Sequence, residues 1–164
     1  MNYKQQQFVE EFGLFFEQAG LPRMAGRILG WLMLSNPPHQ SIDELSEGLL
    51  ASKGSISTMS RLLIQMGLLE RIGLPGVRHD YFRIRPGALE HMLRQNAEQI
   101  TILRQLAERG LELVEAEASE TRHGLEEMRD MYTFFEREFG ALVERWEQER
   151  DKHRAQFVQK GGGQ

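Results

Sequence analysis

Apolar residues recur along this chain at helical spacing in both its N-terminal and C-terminal parts, with a short stretch of alternation between them. Over residues 4–19, Phe8, Phe12, Phe15, Phe16 and Ala19 make one apolar helix face, and Gly20 ends the run. Pro22, a residue suited to a first helical turn, opens a second helix that reaches Leu34. Its Met24, Ala25, Ile28, Leu29, Trp31, Leu32 and Met33 leave almost no polar side, so it is expected at the buried centre. Asn36-Pro37-Pro38 stops it, and residues 38–42 leave room for a short strand. Ser41-Ile42-Asp43-Glu44 then reads as a capping box, in which Ser and Glu each satisfy a backbone N–H of the first turn. A short helix, 42–50, follows with Ile42, Leu45, Leu49 and Leu50 apolar. After Ala51-Ser52 comes another, 53–66. Its apolar stripe is Ile56, Met59, Leu63 and Met66, spaced 3, 4 and 3, and Gly67 stands where a left-handed stop is cheapest. Two short extended runs, 68–72 and 80–84, flank the loop Gly73-Leu74-Pro75-Gly76-Val77-Arg78-His79.

The C-terminal half is patterned differently. Over residues 88–120, Leu89, Leu93, Ile100, Leu103, Ala107 and Val114 form a stripe that Asn96 and Gly110 interrupt. Further on, Leu125, Met128, Tyr132, Phe135, Phe139, Leu142 and Trp146 follow a heptad seam, with Glu and Arg dominating the other faces. His123-Gly124 is expected to break the two helices into a hairpin. The seam reads as a dimer element; the competing reading is an intramolecular helical hairpin. The expected fold is mainly α with a small β-hairpin wing: a winged helix-turn-helix plus long N- and C-terminal dimerisation helices. The expected parts are N-terminal helices at 1–36, the winged helix-turn-helix at 37–86, a helical dimerisation hairpin at 87–158 and a disordered Gly-rich tail at 159–164.

The helix at 53–66 carries the candidate chemistry. Opposite its apolar stripe stand Gly54, Ser55, Ser57, Thr58, Arg61 and Gln65, none acidic. Small side chains let a helix sit deep in a groove, hydroxyls meet phosphates or base edges, and an Arg reaches guanine O6 and N7 together. An ordinary solvated face would mix Glu and Lys at i, i+4, as the C-terminal half does. The whole chain has a formal net charge of −4. Between Ser52 and Arg85, however, Lys53, Arg61, Arg71, Arg78, Arg83 and Arg85 face only Glu70 and Asp80. A basic patch on an acidic body is the footprint of a duplex-binding face. Pro75-Gly76 is a turn dipeptide that places Arg78 and His79 at a hairpin tip. The candidate DNA contacts are Ser52, Lys53, Ser55, Ser57, Thr58, Arg61, Arg78 and His79.

Composition narrows the rest. The chain has 164 residues, 40% of them hydrophobic, enough for a core. It has no cysteine, which excludes disulfides, thiolate zinc sites and cysteine-based peroxide sensing. The first residues are polar and the next amphipathic, unlike a signal peptide, and the longest apolar run, 28–34, is far too short for a bilayer. A cytoplasmic protein without membrane contact is expected. Nucleophile-elbow, P-loop and His-Glu-x-x-His motifs are missing, so no enzyme and no cofactor is expected. His123, Glu127 and Asp130 could share a helix face as half a metal site, but one His beside surface carboxylates is far more often simply solvated, so no metal is expected. Phe12, Phe16, Trp31, Tyr132 and Phe135 are candidates to line an effector pocket, where aromatics could cage a quaternary ammonium. Core packing is the competing reading, and the pattern favours it.

The run Ser41 to Ile84 resembles the winged helix of MarR-type transcription regulators. Three segments resemble a GbsR-like branch more closely: Gly20-Leu21-Pro22-Arg23-Met24-Ala25-Gly26-Arg27-Ile28-Leu29-Gly30, Ser52-Lys53-Gly54-Ser55-Ile56-Ser57, and Pro75-Gly76-x-Arg78. The likeness covers residues 8–89 well and the C-terminal helices only in kind. One departure stands out: MarR proteins often place an Asp two residues before the wing Arg, and here that residue is Gly76. The resemblance implies a dimeric DNA-binding repressor or activator, often responsive to a small molecule, on a pseudo-palindromic operator. The alternative of another class is a winged-helix protein-interaction module in a larger assembly.

Overall fold

The computed structural model describes residues 2–76, 78–114 and 119–161. Its contacts cluster into two units, Met1–His91 and Met92–Gln164. The first unit holds α1 (Tyr3–Gln18), α2 (Arg23–Leu34), β1 (Gln40–Ser41), α3 (Ile42–Gly48), α4 (Lys53–Gln65), β2 (Leu69–Gly73) and β3 (Asp80–Ile84). The start of α5 (Ala88–Leu113) belongs to it as well; the rest of α5 and α6 (Ser119–Gly161) form the second unit. No described helix is long and apolar enough to cross a membrane.

α1 begins with a capping box of its own, Asn2 with Gln5. Its buried row is Val9, Gly13 and Phe16, with Phe12 half-buried. The expected face that included Phe15 and Ala19 is corrected: Phe15 is 63% exposed and Ala19 lies at the surface. The cause is how closely α1 and α2 approach. A Cβ at Gly26 would stand 2.5 Å from the Phe12 carbonyl oxygen, and one at Gly13 would stand 2.7 Å from Arg27 Cγ. Backbones this close admit only the row that carries Gly13. α2 is the centre of the unit, burying Ala25, Gly26, Ile28, Leu29, Gly30 and Leu32. Leu45, Leu49, Ile56, Leu63 and Leu69 complete the fully buried core.

The predicted capping box forms at α3. Ser41 N donates to Glu44 Oε2 at 2.7 Å, and Glu44 N donates to Ser41 Oγ at 3.2 Å. α3 ends at Gly48, two residues early, and Leu50 takes the left-handed conformation. α4 starts on Ser52, whose Oγ accepts from Ser55 N at 3.2 Å. Ile56 and Leu63 of the predicted stripe are fully buried, and Met59 and Met66 pack on the core from its edge. Gly67 closes α4 with φ +71. The three strands pair antiparallel in the order β1-β3-β2. Glu70 stands opposite Arg83, Ile72 opposite Tyr81, and Gln40 opposite Phe82. Leu69 and Phe82 point into the core and so fix the register.

In the second unit α5 and α6 run antiparallel. Gly110 sits against Leu125, Arg104 pairs with Glu136 at 2.6 Å, and Arg94 pairs with Glu147 at 2.6 Å. His123-Gly124 does not break the helices; both residues lie inside α6. A lone Gly in an exposed helix costs only about 1 kcal/mol, too little to stop a helix held by many packed turns. α5 ends at Leu113 and α6 begins at Ser119, ahead of that pair. The tail expected at 159–164 overlaps the end of α6, and residues 162–164 lie outside the described ones. Within this unit the heptad seam is only partly covered. Leu125, Met128, Tyr132 and Phe139 are half-buried, whereas Phe135, Leu142 and Trp146 are 43%, 53% and 48% exposed. A straight helix drifts about 20° per heptad from a seventh-residue repeat. Glu136 and Glu147 therefore meet α5 where a strict seam would place Phe135 and Trp146.

Candidate nucleic-acid interface

α4 turns two kinds of surface outward. Gly54, Thr58, Arg61 and Gln65 are exposed, Ser55 and Ser57 half-buried, and no acidic residue stands in its first turn. Its core row explains the orientation: with Ile56, Ser60 and Leu63 inside, the opposite side has to face solvent. An open groove of about 590 Å³ runs between the starts of α3 and α4 and the loop before β3. It brings together four of the predicted contacts, Lys53, Ser57, Arg78 and His79, beside Asp43 and Asp80. Ser52 flanks it at the cap, its hydroxyl engaged with the Ser55 amide. Thr58 and Arg61 stand exposed on α4 outside the groove, and half-buried Ser55 is not part of its lining either.

Charge pairing redraws the basic patch. Lys53 Nζ lies 2.8 Å from Asp43 Oδ1, Arg71 pairs with Asp80 at 3.2 Å, and Arg83 Nε donates to Glu70 Oε1 at 2.6 Å. Arg61, Arg78 and Arg85 remain as the basic residues of this stretch with no ion pair among the described residues. Exposed pairs of this kind are weak, about 0.2–1 kcal/mol, so a phosphate can replace Asp43 on Lys53 at little cost. Asp43 lies outside the basic stretch Ser52 to Arg85. A charge count confined to that stretch therefore misses the pair.

The loop before β3 is braced by aromatic contacts. His79 Nε2 is 3.1 Å from Tyr81 Oη, and the Tyr81 ring meets His39 edge-on with centroids 5.2 Å apart. His79 stands just before β3 and two residues from Tyr81, so the contact is local in sequence. His39 joins only because β1 pairs with β3. Both imidazoles lie near the α3 cap. Glu44 is held below the ordinary carboxylate value chiefly by the backbone N–H of Ser41, then by the Ser41 hydroxyl and the fields of His79 and His39.

The aromatic candidates are divided between the two units. Phe12, Phe16 and Trp31 belong to the first unit, where Phe12 and Phe16 rings lie 5.8 Å apart. Tyr132 and Phe135 belong to the second, with centroids 6.2 Å apart. His123 Nε2 stands 3.9 Å from Glu127, while Asp130 pairs with Arg129 at 2.8 Å. The described residues contain no group of three side chains placed to hold a metal. No sequence signal marks Ser60, buried on the core face of α4 without a hydrogen-bond partner, or the half-buried Arg27 bridging α1 and the end of α3.

The chain is similar to known proteins over most of its length. Residues 87–149 match the family model described as MmpR5-like MarR family transcriptional regulator. The HTH-type transcriptional regulator MmpR5 of Mycobacterium tuberculosis is 39% identical over 142 residues, covering 87% of this chain and 86% of that protein. A crystal structure described as a transcriptional regulator is also 39% identical; it covers 88% of this chain and 99% of its own, with a TM-score of 0.74.

Proposed function

The chain belongs to the MarR family of transcriptional regulators, and from that premise we propose that it acts as a homodimer that binds duplex DNA at a pseudo-palindromic operator. Each copy lays α4 in a major groove and rests the β2–β3 wing beside it. The observation that carries this reading is the acid-free outward face of α4, from Gly54 to Gln65, flanked at its start by the groove that holds Lys53, Arg78 and His79. Arg61 reads a base edge. Lys53 and Arg78 meet phosphates, with Ser52, Ser55, Ser57, Thr58 and His79 completing the contact surface. Two readers held by rigid helices reach half-sites roughly 34–36 Å apart, one helical turn.

The dimer is formed by the N- and C-terminal helices. Phe15 on α1, Ile102 and Leu106 on α5, and Phe134, Phe135, Leu142 and Trp146 on α6 are exposed in the single chain, more apolar surface than a lone helical hairpin needs to leave in water. A small-molecule effector adjusts DNA affinity by favouring one spacing of the readers. Residues Phe12, Phe16, Trp31, Tyr132 and Phe135 are candidates for its recognition. A GbsR-like position within the family rests on the segments around Gly20 to Gly30, Ser52 to Ser57 and Pro75-Gly76-x-Arg78; the matching family model, which covers the C-terminal helices, is the MmpR5-like one.

A mobility-shift assay with random genomic fragments at two salt concentrations tests the proposal. A subset of fragments retained at the higher salt supports an operator-reading regulator. Failure to retain any fragment at either salt favours the protein-interaction module instead.

A further inference from the structure

We infer that Arg27 is a positioning residue for the reader: from α2 it clasps both α1 and the turn that joins α3 to α4, and so fixes where α4 begins. Its effect on DNA rests on the proposed function; the clasp itself does not.

The buried centre of the first unit is a poor place for a guanidinium unless its charge is met there. Arg27 stands between buried Gly26 and Ile28, and its side chain keeps 21% exposure. The stem crosses α1 at Gly13, where an added Cβ would meet Arg27 Cγ. The head then meets acceptors from two separate elements. Nε is closed off from water and lies 2.7 Å from Glu10 Oε1 on α1, an ion pair rather than an aligned hydrogen bond. Nη2 donates to the Leu49 carbonyl oxygen at 3.0 Å. A planar fork that is always charged holds two such acceptors in one geometry; a Lys ammonium on a flexible stem does not.

The carbonyl it holds is a sensitive one. At the end of α3, Leu45, Ser46 and Glu47 accept from the amides of Leu49, Ala51 and Leu50, and Leu49 accepts from Arg27. The Leu49 carbonyl lies in the peptide plane whose rotation is φ of Leu50. That angle is +50, a left-handed conformation that L residues other than Asn and Asp seldom take. The Leu50 side chain is 92% exposed, so its own packing does not hold the angle. A strained residue persists only where its surroundings over-determine it, and Arg27 supplies that hold on one side of the turn. Ser46 Oγ, donating to the Ala51 carbonyl oxygen at 2.6 Å, supplies it on the other. Leu50 precedes the first residue of α4 by three positions. Releasing the turn therefore loosens the start of α4, while Ile56 and Leu63 keep the helix in the core.

Arg27→Met, which keeps a stem over Gly13 and removes the head, tests the clasp in the full-length protein. Without DNA, amide hydrogen exchange at Leu50 and Ala51 is expected to rise at least about tenfold, with Leu63 unchanged. With DNA, affinity for a duplex retained in the shift assay is expected to fall at least about tenfold, and that for a scrambled duplex by less than about twofold. The salt dependence stays as in wild type, because Arg27 on α2 meets no phosphate in the proposed docking. Leu50→Asn, which tolerates the left-handed turn, is expected to make the same Arg27→Met change several-fold less harmful. If Arg27→Met does not fold, Arg27→Lys is read for the same pattern in smaller measure. Unchanged exchange at Leu50 and Ala51 overturns the clasp. Equal weakening of both duplexes, or an equal loss in the Leu50→Asn background, overturns positioning through the turn. A wild type that binds no duplex overturns the proposed function, and the exchange result then decides the clasp alone.

Discussion

Single residues at the start of α3 set both the fold and its response to pH. Ser41 caps the helix, so Ser41→Ala is expected to cost about 0.5–2 kcal/mol in urea unfolding, the range for a lost N-cap. Glu44 is held below its ordinary value of 4.5, first by the Ser41 amide. A carboxylate lowered on folding adds stability above its unfolded value and loses it as pH falls through the folded one. Wild-type stability should therefore decline below about pH 4.5 more steeply than that of Glu44→Gln; parallel curves would show that the cap carries no pH dependence. This box was legible because Ser-x-x-Glu is a local pattern. Tyr81 bridging His39 and His79 was only half legible, since 79 and 81 are near in sequence but nothing local brings in a strand so distant along the chain. The pairing of Lys53 with Asp43 shows the same limit: the net charge of one stretch omits a partner just outside it.

At the scale of elements, the helices were legible from period and punctuation, their faces less so. α4 keeps its predicted stripe because Ile56 and Leu63 fit one core row. α1 does not keep Phe15, because Gly13, Gly26 and Gly30 let two backbones meet and select another row. Small residues carry no hydrophobic signal, so apolar periodicity misses them. Gly26→Ala should accordingly be severely destabilising, since its Cβ would fall 2.5 Å from a backbone oxygen. Gly124 shows the reverse. Its residue type predicts a helix break, yet it lies inside α6 with nothing within 4 Å of an added Cβ. Gly124→Ala should then raise stability by about 0.5–1 kcal/mol in thermal or urea unfolding, whereas a loss of stability would restore the hairpin turn at that position.

At the scale of the molecule, the heptad seam is the feature whose partner a single chain does not supply in full. Phe135 and Leu142 are about half exposed within the chain, so a charge at either is tolerated by the monomer's own fold. In the proposed dimer the same charge is buried without a partner, which is expensive. Phe135→Glu and Leu142→Glu are thus expected to give folded, helical monomers by light scattering and circular dichroism at micromolar concentration. Dimers of unchanged mass would move the interface elsewhere. The sequence made the seam visible but not its drift, because seventh-residue spacing alone does not say where a straight α6 turns its side chains away from α5.

Reading of DNA by α4 and the wing is tested most directly by titrating wild type, Arg61→Ala, Lys53→Ala and Arg78→Ala against operator and scrambled duplexes across a salt series. Docking as proposed predicts that Arg61→Ala loses on the order of 1–3 kcal/mol per half-site on operator alone. Lys53→Ala and Arg78→Ala should instead weaken both duplexes, and each should flatten the salt dependence by about one unit for the phosphate it no longer neutralises. Unchanged operator affinity in both Arg61→Ala and Arg78→Ala would contradict it.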